Sequence, residues 1–154
     1  MDESSAAAAP AVVDLTADIP LMRAELAIMK PGTATPTGWV WTMCGPAHPK
    51  RLAYQEAQSR ERIHKAAMIE QAQANGRKYK PEEKKTAEAN LDGVRWMVSN
   101  IETWTPVKIG DETIAFSDDA ATKLLMRPEM GWAFFQAVEF VQAERSFMPP
   151  SAEN

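Results

Sequence analysis

The spacing of apolar positions changes several times along the chain, and each change marks an element. Leu26-Ala27-Ile28-Met29 is a short apolar run stopped by Lys30-Pro31-Gly32, the pattern of a strand entering a turn. After the loop TATPT comes Trp39-Val40-Trp41-Thr42-Met43-Cys44. Alternation sends Trp39, Trp41 and Met43 to one side and Val40, Thr42 and Cys44 to the other. The two runs predict a hairpin with a long loop. Gly45-Pro46 stops the second strand, and Pro49 suits a first helical turn, which puts His48 at or beside the N-cap. A long charged helix over 50–75 follows, alanine-rich and free of internal Gly or Pro, with Asn75-Gly76 as its stop. Its large apolar residues are few: Leu52, Tyr54, Ile63, Met68 and Ile69. Such a helix buries a narrow stripe, so it lies over the domain or extends away from it.

Pro81-Glu82-Glu83 reads as the next helix start, with its acids favourably placed against the helix dipole. Leu91, Val94, Val98 and Ile101, spaced 3, 4, 3 with Met97 alongside, form the clearest stripe and predict a helix over 87–104 closed by Trp104-Thr105-Pro106. Val107-Lys108-Ile109, Gly110-Asp111-Glu112 and Thr113-Ile114-Ala115-Phe116 make a second hairpin signal. Ser117-Asp118-Asp119 caps a short helix through about Met126. The last helix, 129–146, is the most apolar, with Met130, Phe134, Phe135, Val138, Phe140 and Val141, and Phe147-Met148-Pro149-Pro150 ends it. At roughly 100° per residue Phe134, Val138 and Val141 share a face with Met130, while Phe140 falls about 120° from Phe134. Trp132 and Phe140 therefore exceed what one small domain covers and are candidates to contact another chain. Trp96 breaks the stripe of its helix, two positions from both Val94 and Val98, and joins them as a candidate partner contact.

These elements predict an α+β fold: two short β-hairpins, open to forming one sheet, packed with about four helices. The domain covers 21–147, between a flexible N-terminal arm at 1–20 with no sustained amphipathic period and a short tail at 148–154. With 154 residues, 45% hydrophobic and 25% charged, the chain suits one modest soluble domain. No apolar run approaches the roughly 18 residues of a membrane span. MDESSAAAAPAVV is acidic where a signal peptide is basic, so the expected compartment is the cytoplasm. The net charge of −4 is unevenly placed. Residues 1–49 carry two basic and five acidic groups, 50–86 ten basic and five acidic, and 87–154 five basic and eleven acidic. Such segregation steers a charged partner, or simply solvates a long helix.

Candidate chemistry is sparse. Cys44 and His48 have the spacing of a nucleophile and base, but Cys44 occupies the place of a small apolar strand residue, and no Asn or Asp nearby supplies a third group. His64 sits between Arg62 and Lys65 as a surface residue, and two histidines with one cysteine match no zinc spacing. Asp111, Glu112, Asp118 and Asp119 are accounted for by a turn and an N-cap and lack the order of a calcium loop. No glycine-rich phosphate loop is present. The basic stretch with Tyr54 and Tyr79 is interleaved with Glu56, Glu61 and Glu70 in an acidic chain, so nucleic acid is not an expected partner. We expect no enzymatic activity, no cofactor and no metal.

PTGWVWTMCGPAHPK leading into a charged helix, then NGRKYK, then WTPVKIGDETIAFSDDAATKLL and an aromatic helix closing in ERSF form a recurring order. In this order the chain resembles small bacteriophage tail-morphogenesis proteins of the tail assembly chaperone type, from about Leu26 to Phe147. Gly38, Gly45-Pro46, Trp104, Phe116-Ser117 and Phe147 carry the match. The resemblance implies a non-enzymatic partner of phage structural proteins, often the tape measure protein, acting in the host cytoplasm during assembly. The arm at 1–20 lies outside the pattern and suits the alternative of a structural virion protein (decoration, connector or tail component) binding neighbouring subunits, and homo-oligomerisation is compatible with either.

Overall fold

The computed structural model describes residues 10–78 and 85–150. The expected helix start at Pro81, Tyr79, residues 1–9 of the arm and residues 151–154 of the tail lie outside them. Among the described residues there are four α-helices and two small antiparallel sheets, an α+β fold.

Strand β1 (Arg23–Met29) pairs antiparallel with β2 (Pro36–Cys44), Leu26 opposite Trp41. The expected hairpin is present, three residues longer at each strand's start. The register shifts near the loop, where Gly38 takes φ 91°, a conformation that side chains with a Cβ rarely adopt. There the Thr37 hydroxyl donates to Ile28 O at 2.7 Å in place of a ladder bond. At the far end, Gly45 is required for a different reason. Its N–H donates to Met22 O at 2.7 Å, and a Cβ there would overlap the Leu21 carbonyl oxygen. Only glycine lets the incoming chain cross so closely.

The helix predicted over 87–104 is corrected by a third strand. Helix α2 covers Thr86–Val98, and Ile101–Trp104 forms β3 on the other edge of β2, with Trp104 opposite Trp41. The Ser99 hydroxyl and the Asn100 amide both donate to Trp96 O, which closes the last helical turn. Asn100 O then accepts the Cys44 N–H at 2.7 Å and begins the sheet. Ile101 was legible as a core residue, but a buried position fits the end of a helical stripe and the start of a buried strand equally.

Strands β4 (Val107–Ile109) and β5 (Glu112–Ile114) form a separate two-stranded sheet, so the two hairpins do not merge. The Ser117 hydroxyl accepts from Ala120 N–H at 3.0 Å and caps α3 (Asp118–Leu125), as its sequence predicts. The final expected helix is broken into a 3₁₀ turn at Pro128–Met130, helix α4 (Gly131–Gln142) and a second 3₁₀ turn at Glu144–Phe147. Ala143 is extended between them, and the Ser146 hydroxyl donates to Phe140 O at 2.6 Å.

The core lies between the three-stranded sheet and helices α2, α3 and α4. Its centre is a triad of Trp39, Trp41 and Trp104, with ring centroids 5.0–5.1 Å apart and Phe116 edge-on to Trp104. All three indole N–H groups are buried without an oxygen acceptor. The rings pack closely on one another, Trp39 edge-to-face with both Trp41 and Trp104. Helix α1 (Pro49–Ala74) stands apart: it buries no residue of its own along 26 positions.

Candidate interaction surface

Among the described residues, a compact cluster of titratable side chains lies where α1 leaves β2. His48 is buried and caps α1, its Nδ1 accepting from Lys50 N–H at 3.1 Å. That bond leaves the proton on Nε2, which donates to Glu102 Oε1 at 2.8 Å. Arg23 Nε lies 2.8 Å from both Glu102 oxygens. Hydrogen bonds from Arg23 first, then His48, hold the Glu102 carboxyl down at about 2. Lys50 Nζ donates to Ile101 O and to Asp118 Oδ1, both at 2.6 Å, over the face of Phe116. The cluster thus clamps β1, α1, β3 and α3 to one another. Cys44 lies alongside, fully buried, its thiol pushed up to about 11 by desolvation. With both His48 nitrogens committed, no base is oriented towards it. Among the described residues no group of acidic, His or Cys side chains is arranged to hold a metal ion, and no helix is long and apolar enough to cross a membrane.

Trp132 and Phe140 come together in a separate surface feature. An open trough of about 920 Å³ runs between the outer edge of β1 and α4, with Leu26, Ala27 and Met29 on one wall and Trp132, Phe140 and Ala143 on the other. Trp132 also walls a neighbouring cleft of about 480 Å³, shared with Trp39, Pro106, Val107 and Met130. Both aromatic residues are half-buried and pack against the core, Phe140 edge-on to Phe147 at 5.3 Å. The most exposed aromatic of α4 is instead Phe135, at 68%. Gln136, one helical turn from both Trp132 and Phe140, bridges the trough between them: its amide accepts from Met29 N–H at 2.8 Å and donates to Met29 O at 3.0 Å, as a neighbouring strand would.

Trp96 lies elsewhere, half-buried in a cleft of about 420 Å³ between α2 and the inner side of α1. Arg51, Tyr54, Gln58 and Arg62 form the other wall, so this cleft is polar and basic. The three candidate residues therefore divide between two surfaces. The Glu102 cluster was missed in sequence because Arg23, His48 and Glu102 are far apart along the chain. The pairing of β1, β2 and β3 brings them together, and no local spacing announces it. Compared with known proteins, the chain matches no family model, no curated sequence and no solved structure.

Proposed function

We propose that this protein is a non-enzymatic assembly factor that binds a partner chain in the trough walled by Trp132 and Phe140. A tail assembly chaperone acting on a tail protein such as the tape measure protein is the role its resemblance implies. The observation that carries the reading is the trough itself: half-buried aromatic side chains beside a strand edge suit an apolar polypeptide segment. The inert setting of Cys44 and the structural use of both His48 nitrogens support a role without catalysis. Binding would cover apolar surface of the client until assembly removes it, and the basic α1 would speed encounter with an acidic partner.

A second reading, a permanent virion component, is favoured by one observation. Val12, Val13, Leu15 and Ile19 project from the arm into solvent, which suits a segment that finishes its folding on a neighbour. Purified particles separate the two readings. A chaperone co-purifies with the co-expressed tape measure protein and is missing from mature particles. A structural component is present in them at fixed, symmetric copy number.

A further inference from the structure

The outer edge of β1 is closed at both ends and open in the middle. At one end Gln136 takes both backbone groups of Met29. At the other the Leu21 N–H donates to Phe147 O at 2.6 Å, while the Met22 carbonyl faces the other way, towards Gly45. Strand alternation then turns the N–H and C=O groups of Arg23, Glu25 and Ala27 outward. Among the described residues nothing pairs with them, since β1 has β2 as its sole strand neighbour. Glu25 and Ala27 are exposed, and Leu26, Ala27, Trp132 and Phe140 line the trough beside this edge. An unpaired edge flanked by an apolar trough is a template for one extended, apolar segment.

The chain carries an unused apolar segment, residues 12–19, whose Thr16–Asp18 3₁₀ turn would open as the segment is laid along the edge. Val12 is 97% exposed, Val13 73%, Leu15 59% and Ile19 61%, and the core cluster with the side chains packed on it includes no described residue before Ala24. To reach the trough of its own chain the arm would have to reverse at Pro20 and run back along β1. That lane is taken at its first step by the Phe147 carbonyl on Leu21. A second molecule's arm meets no such obstacle. Charge does not select the occupant, because Lys30 on the lip of the trough is matched by Glu139 in its lining and Glu25 on the edge; the unused aliphatic side chains of the arm do.

We propose that the trough takes the N-terminal arm of a second copy of this chain, residues 12–19 laid beside Glu25 and Ala27 with their aliphatic side chains against Trp132 and Phe140. This rests on reading the trough as a protein-binding surface and names its occupant when no client is present. A client binds by displacing the arm, so self-association and client binding compete.

Sedimentation of the full chain over a range of concentrations tests it, with two variants. Val13→Asp with Leu15→Asp alters exposed side chains and leaves the body intact. Ala27→Pro removes an outward N–H, which an edge strand tolerates. The wild type self-associates. Each variant alone weakens association by at least about tenfold, the scale set by two buried aliphatic side chains or a blocked edge. An equimolar mixture of the two associates more tightly than either alone, because one supplies the arm and the other the trough. A photo-crosslinker at Leu15, in a mixture of isotope-labelled and unlabelled chains, gives peptides joining a labelled arm to an unlabelled trough. A wild type that is monomeric at every concentration, an arm variant that associates like the wild type, or crosslinks confined to single chains overturns the proposal. Co-purification with the co-expressed tape measure protein is measured separately, so a wild type that stays monomeric yet captures the client removes this inference and leaves the functional reading standing.

Discussion

Glu102 shows how one side chain can couple the fold to pH. Its carboxylate, near 4.5 when unfolded, is held at about 2 by Arg23 and His48 in the folded protein. A lowered folded value stabilises the native state fully above the unfolded one and loses that contribution as pH falls from about 4.5 towards 2. Glu102→Gln should therefore lower stability at neutral pH by roughly 1–2 kcal/mol, allowing for the carboxylate's contact with solvent. In chemical denaturation the gap between variant and wild type should narrow from about pH 4.5 and close near pH 2. A gap that is constant with pH would mean that the carboxylate's charge is not what matters. Two neighbours act through shape alone. Cys44→Ala should cost about 1 kcal/mol and leave partner binding unchanged, and the native thiol should resist labelling at pH 8. Gly45→Ala should be more damaging, about 2 kcal/mol or more, because a methyl group there displaces the Leu21 backbone and its bond to Phe147. Thermal unfolding of the two variants checks the order.

Among the elements, α1 and α4 are the extremes. Helix α1 exposes Leu52, Ile63 and Met68 and is fastened mainly by its first turns, through Lys50 and Arg51. Ala67→Pro should break its outer half. Circular dichroism should then report less helix, while the tryptophan fluorescence transition of the core stays within about 0.5 kcal/mol of wild type. Helix α4 is tied into the body at every turn. Phe135→Ser should be nearly neutral, whereas Phe140→Ala should cost about 2–3 kcal/mol because its ring packs on Phe147. Partner-binding assays therefore need Phe140 variants whose folding has been verified. The boundary of α2 illustrates what periodicity misses. The 3, 4, 3 stripe runs through Ile101, yet the chain leaves the helix at Val98, because Ser99 and Asn100 close it and the open edge of β2 offers Ile101–Trp104 a ladder.

At the scale of the whole molecule, arm and body should separate under protease. In dilute protein the first cuts should fall within residues 10–20, leaving a resistant body that begins near Leu21, where the bond to Phe147 anchors the chain. Mass spectrometry of the fragments reads this directly. What the amino-acid order determined by itself is local: the alternation that buries Trp39, Trp41 and Met43, the His48 and Ser117 caps, the span of α1 and the α+β class all follow from interactions a few residues long. The third strand, the separation of the two sheets, the Arg23–His48–Glu102 clamp and the trough at Trp132 and Phe140 were decided only by the tertiary structure. Each depends on groups distant in sequence meeting across β2 or along β1. Side-chain periodicity encodes which face is buried, and leaves open which distant edge or helix will cover it.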